Sequence, residues 1–166
     1  MKPALHQLEF DGALLARGFW LYIWEITTKD GGEVHYVGRT GDSSSLNAQS
    51  PFARLSQHLG RNEKSNALRR KLEEHKLIAE ECQAFRLFAC GPIFSESKSE
   101  AKHRHSRDLV AALEKELAKT MRDAGYVMLN EVKCRKLLDP ELWREVVGTF
   151  RKHFPKLHHR AACGEN

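Results

Sequence analysis

Three consecutive stretches constrain this chain most: Phe19 to Thr27, Lys29-Asp30-Gly31-Gly32, and Val34 to Gly38. The first is rich in aromatic and β-branched residues and reads as a buried strand. The tetrapeptide supplies the positive φ angles that a tight reversal needs, so Val34 to Gly38 returns as a second strand. The pair makes an antiparallel hairpin with Tyr22 on one arm and Tyr36 on the other. Its second arm runs out through Tyr36-Val37-Gly38-Arg39, placing a phenol, a glycine and a cation at one strand mouth, where a plain hairpin needs none of them.

The remaining punctuation gives an element order. Residues 3 to 16 have mixed apolar spacing broken by Asp11-Gly12, consistent with a helix or two turns. The polar stretch Asp42 to Gln49 reads as a loop. Ser50-Pro51 then opens a helix, serine as cap and proline at the first helical position, and Gly60 stops it after Leu59. A second helix is expected from Ser65 to about Ala79, and a third strand over Ala84 to Ala89, closed by Gly91-Pro92. Ser97-Lys98-Ser99-Glu100 has capping-box spacing and opens a long helix to about Ala124, which Gly125 ends. Asp139-Pro140-Glu141 begins a last helix that finishes before Pro155. The fold class is α+β: a small three-stranded antiparallel sheet flanked by helices, with an added C-terminal helix. We divide the chain into an N-terminal helical extension (1–17), a main domain (18–131) and a basic C-terminal helical extension (132–166).

At 166 residues, one domain of this size buries roughly 70% of its unfolded surface and needs no staple to fold. The longest apolar run, Gly18 to Trp24, is far too short to cross a bilayer, and the first residues lack a signal-peptide pattern. Cys82, Cys90, Cys134 and Cys163 form no CxxC pair, so we expect reduced thiols and a cytoplasmic protein. The net charge of +5 is unevenly placed. Residues 50 to 76 carry Arg54, Arg61, Lys64, Arg69, Arg70, Lys71 and Lys76 against Glu63, Glu73 and Glu74. Residues 132 to 166 are basic as well, with His153, His158 and His159 added. Two such zones fit a polyanionic partner; a basic solvated surface is the plainer alternative.

On the helix from Pro51, Phe52, Leu55 and Leu59 mark a buried stripe, and Arg54 and His58, four residues apart, share its rim. On the long helix, Leu109, Leu113, Leu117 and Met121 mark the core face. Glu114 and Glu116 flank it on opposite sides, each about 80° from its centre, and periodicity does not choose between them. Cys82, Cys90, His103 and His105 have the wrong gaps for a zinc finger.

Taken together and in order, "WLYI", "HYVGRTGD", "SPFARLSQHL", "LEKELAK" and "GYVMLN" resemble the GIY-YIG nuclease family over residues 18 to 131. The resemblance implies a metal-dependent endonuclease hydrolysing phosphodiesters of nucleic acid, DNA rather than RNA, with one Mg2+ or Mn2+ ion. It implies Tyr22 as general base with His58 as the other candidate, and Tyr36 as a positioner of water or phosphate. It matches Arg54 to a phosphate-stabilising arginine, and Glu114, through Glu-x-x-Leu-x-Lys, to the metal ligand. Gly38 and Arg39 would meet substrate phosphate, Gly38 by allowing close backbone approach, while Asn130 would order the site. One carboxylate suffices for magnesium, which fills its other positions with water and substrate oxygens. Two departures stand out: Trp20 occupies the first motif's glycine position, and the loop from Thr40 to Arg54 is long. The other reading is a catalytically silent module of this fold that binds nucleic acid or a protein partner. The sequence shows no base-reading motif and does not reveal oligomeric state.

Overall fold

A computed structural model describes residues 3–42, 45–62 and 64–158; His159 and Cys163 lie outside the described residues. Strands β1 (Phe19–Thr27), β2 (Glu33–Arg39) and β3 (Ala84–Phe94) form one antiparallel sheet in the order β2-β1-β3. Helices α1 (Pro51–Leu59), α2 (Ala67–Glu74), α3 (Glu100–Asp123) and α4 (Pro140–Arg151) pack on it, giving an α+β fold. The reversal between β1 and β2 uses Gly31 at φ 81°, a left-handed position that suits a residue without Cβ.

Central placement explains why β1 is apolar along nearly its whole length: both of its faces are covered. Leu21 and Ile23 point into a core with Val37, with Leu113, Leu117 and Met121 of α3, and with Val146 and Phe150 of α4. Tyr22, Trp24 and Ile26 point to the opposite face, against Leu68 and Leu72 of α2 and Leu129. Phe154 and Leu157 join the first core, so the C-terminal residues pack on the sheet and do not stand apart from it. Trp20 is accommodated by glycine elsewhere. Its indole lies over Gly91, where a Cβ would come within 2.8 Å of the ring, and its Nε1 donates to the Ala16 carbonyl at 3.1 Å.

The outer edge of β2 is closed by residues 127–130. His35 N–H donates to the Val127 carbonyl at 2.8 Å, and Leu129 N–H donates to the His35 carbonyl at 2.7 Å. The Asn130 side chain completes the pairing: Nδ2 donates to Val37 O at 2.8 Å and Oδ1 accepts from Val37 N at 3.1 Å. An edge strand is thereby covered without a fourth full strand.

Several boundaries differ from those expected. The N-terminal extension is not helical among its described residues beyond a single 3₁₀ turn, Gly12–Leu15, whose cap is Asp11. Strand β3 does not stop at Gly91-Pro92 but continues to Phe94, with an irregularity in its pairing to β1 between Phe19 and Leu21. Proline is tolerated there because β3 is an edge. Helix α2 ends at Glu74, well before Ala79: Lys76 adopts φ 60° and Leu77 N–H folds back to Leu72 O at 2.8 Å. The cap of α3 is Ser99, whose Oγ accepts from Lys102 N, and Ser97 instead accepts from the Ser99 N–H. On α3, Leu109 is only half-buried while Val110, Ala112 and Ala118 are buried.

Asn130→Ala leaves the Val37 N–H and C=O without their partners in a buried setting. It should cost about 1–3 kcal/mol, read as a lower urea midpoint with an unchanged slope. A midpoint equal to wild type would show that Asn130 does not tie the edge.

Candidate functional site

The site assembles where β2 leaves the sheet. Helix α1 approaches from one face and α3 from the other, meeting around the uncovered end of the edge strand. The Ser50 hydroxyl accepts from Ala53 N at 3.2 Å and Pro51 occupies the first turn, so α1 begins where its sequence demands. From that start, Arg54 and His58 fall one turn apart on the same side. His58 is not on a rim, however. It is 1% exposed, while Phe52, Leu55 and Leu59 of the expected stripe are only half-buried.

What holds His58 inside is Tyr22. The Tyr22 hydroxyl and His58 Nε2 are 2.6 Å apart, and the hydroxyl also lies 3.3 Å from the Arg39 carbonyl. Tyr36, on the same face of β2, places its ring 5.5 Å from the imidazole, roughly edge-on. Gly38 stands directly opposite Tyr22 in the β1–β2 register. A Cβ at Gly38 would come within 2.6–2.8 Å of the Tyr22 ring and hydroxyl. The glycine therefore admits the phenol of its own sheet; the close approach expected for substrate is made first by Tyr22.

Two ion pairs complete the cluster. Arg39 Nε donates to Glu114 Oε2 at 2.8 Å, joining β2 to α3, and both side chains are largely buried. Arg54 Nη2 donates to Asp42 Oδ2 at 2.8 Å, and its Nη1 to Gln57 Oε1 at 3.3 Å. Of the two candidate carboxylates on α3, Glu114 is the one held by a site cation. Asp42 and Gln57 were not anticipated; Asp42 ends the "HYVGRTGD" stretch, where it reads as the first residue of a loop. Arg39 was expected to face phosphate and instead spends one donor on Glu114.

Burial controls the electrostatics. It raises the Tyr22 pKa well above the phenol range, opposed by the Arg54 guanidinium beside the hydroxyl. Burial, with help from Glu114, lifts Tyr36 to about 12. Burial and then Arg54 push His58 down to about 4, so its imidazole is neutral at neutral pH. Burial also raises the Glu114 carboxyl, with Arg39 pulling against it. Three buried polar atoms in the cluster have no hydrogen-bond partner: Arg39 Nη1, Arg54 Nε and His58 Nδ1. Unmatched buried donors are costly and uncommon, and two of these belong to guanidinium groups.

A cavity of about 330 Å³ opens beside this cluster, with Tyr36, Glu114, Asn130, Arg70, Lys71 and Lys133 in its wall. A larger cleft of about 730 Å³ lies between the N-terminal segment and β3, and no residue of the cluster lines it. Cys82, Cys90, His103 and His105 form no metal-binding group among the described residues. There too, no helix is long and apolar enough to cross a membrane. Comparison with protein-family models, curated proteins and solved structures found no match.

Gly38→Ala should destabilise by about 1–3 kcal/mol through overpacking against Tyr22. In a Tyr22→Leu background most of that cost should vanish, giving a coupling energy of about 1 kcal/mol or more in a double-mutant cycle of urea midpoints. Additive costs would show that Gly38 serves something other than the phenol.

Proposed function

We propose that this protein is a metal-dependent endonuclease that hydrolyses phosphodiesters of nucleic acid, DNA rather than RNA, through a GIY-YIG type site. The observation that carries the reading is convergence. Tyr22, Tyr36, Arg39, Arg54, His58 and Glu114 come from two strands and two helices and meet at one strand mouth, with guanidinium donors left unmatched. A phosphodiester is an anion whose attack by water needs negative charge offset and a proton removed.

Arg39 and Arg54 meet the first requirement. Their free donors suit the oxygens of a phosphate, and a guanidinium can grip two of them at once. Glu114 would hold the divalent ion. A lone carboxylate fits Mg2+ or Mn2+, which keeps several waters, and the adjoining cavity has room for them at about 30 Å³ per water. When bound, the ion supplies positive charge against the phosphate and the departing oxygen.

The second requirement falls to Tyr22 and His58 together. With its pKa raised by burial, Tyr22 is a phenol and not a phenolate, so it is not a base by itself. His58 is neutral and 2.6 Å away. The Tyr22 oxygen takes the proton of the attacking water as its own passes to His58 Nε2. Burial and Arg54 make this imidazole a weak acceptor, and the negative charge of an arriving phosphate would raise its affinity for the proton. This joins the two candidates for the base into one relay. Tyr36, in the cavity wall, orients the water or the phosphate. Asn130 holds β2 in place and touches no reacting atom.

The silent binding module has one observation in its favour: both guanidiniums already rest on carboxylates, Arg39 on Glu114 and Arg54 on Asp42. Incubating plasmid with Mg2+ or Mn2+ separates the readings. Wild type should nick it, while Glu114→Ala and Arg54→Ala should each lose on the order of 100-fold or more in rate. Glu114→Ala should still shift DNA in a gel. Equal nicking by all three proteins, or binding without any cutting by wild type, would overturn the enzyme.

A further inference from the structure

A second group of ligating side chains lies on the α3–α4 face of the sheet and plays no part in the proposed chemistry. Glu25 of β1 is the register partner of His35 in β2, and Glu33 sits two residues before His35 on the same face of that strand. One carboxylate oxygen from each glutamate and one ring nitrogen of His35 lie within 4.8 Å of one another.

His35 makes this group unusual. It is 2% exposed, wedged edge-on against the rings of Tyr126 at 5.0 Å and Phe154 at 6.0 Å. Neither Nδ1 nor Nε2 has a hydrogen-bond partner. The Val127 carbonyl, which accepts the His35 backbone N–H, keeps a second lone pair near the ring and favours its charged form, but no ring nitrogen reaches it with hydrogen-bond geometry. A buried imidazole with both nitrogens unmatched forfeits hydrogen bonds that water would have given it. Nε2 faces Glu25 Oε2 at 3.9 Å, beyond hydrogen-bond reach. That span suits two donors sharing one ion: bonds of about 2.1 Å place a pair of ligands roughly 3–4 Å apart. Arg86 of β3 takes the other oxygen of Glu25 at 2.8 Å and leaves Oε2 aimed at the ring. Lys156, 5.1 Å over the Tyr126 ring, also faces the group. Glu33 is exposed, so its carboxylate is free to swing in and supplies the entry side.

We propose that Glu25, Glu33 and His35 bind one divalent first-row transition ion, with water completing the coordination. One imidazole and two carboxylates suit Zn2+ and its neighbours better than Mg2+ or Ca2+, which favour oxygen donors alone. The ion would tie β1 to β2 and fix the imidazole on which Tyr126 and Phe154 pack. This site is distinct from Glu114 and does not depend on the nuclease reading.

Calorimetric titration with Zn2+ tests it on the full chain. Wild type should take up one ion saturably at this site, and its melting temperature should rise with Zn2+ by mass action. Glu33→Gln changes only an exposed carboxylate, so it should fold normally yet bind at least about tenfold more weakly and lose the thermal shift. Glu114→Gln should bind Zn2+ here as wild type does. Wild-type affinity in Glu33→Gln, or no saturable uptake by the wild-type chain, would overturn the proposal.

Discussion

Because β1 lies between β2 and β3 with helices on both faces, a polar atom it carries inward costs free energy unless it finds a partner, as the Trp24 indole N–H does not. Its side chains alternate between two cores, and the alternation decides which groups can meet. Even-numbered residues from 22 to 26 turn toward α1 and α2, and Tyr22 is the one with a hydroxyl to satisfy. His58 and the Arg39 carbonyl answer it. Odd-numbered residues from 21 to 25 turn toward α3 and α4, and Glu25 there is matched with Arg86. Where β2 ends, the two faces are no longer separated by sheet, and groups from either side come together. The candidate site occupies that place because there a helix over one face and a helix under the other reach the same volume.

Charge within the site is balanced before any ligand arrives. Arg39 rests on Glu114 and Arg54 on Asp42, each at 2.8 Å. Breaking a partly buried pair by removing one member strands the other charge, so these pairs hold each side chain in position. A phosphate and a divalent ion entering together would replace like with like: the guanidiniums exchange carboxylate for phosphate oxygens, and Glu114 exchanges a guanidinium for a metal cation. In this account the pairs preorganise the site and are released only when both ligands are present.

Much of this was legible in the residues, for identifiable reasons. The hairpin, the start of α1 and the start of α4 were readable because glycine, serine and proline signals sit at their ends. The end of α2 was not, since Lys76 takes a left-handed conformation with no glycine or asparagine to announce it. Strand β3 was cut short because Gly91-Pro92 reads as a stop, and an edge strand does not obey it. Within the site, spacing left Glu114 and Glu116 equivalent, and the Arg39 contact distinguishes them. Helical spacing puts His58 at a rim because periodicity locates a face but not what lies above it; Tyr22 is what buries it. Asp42 as partner to Arg54 depends on how the loop folds back, which no local pattern encodes. The Glu25–Glu33–His35 group was missed although its signal was present, two ligating residues at alternate positions of a strand and a third across the register.

A crystal structure of the protein with a short DNA duplex and Ca2+ should show one backbone phosphate at the end of β2, bonded by Arg39 and Arg54, with the ion held by Glu114 and the Tyr22–His58 contact retained. A duplex seated elsewhere, with both guanidiniums still on their carboxylates, would contradict the proposed site.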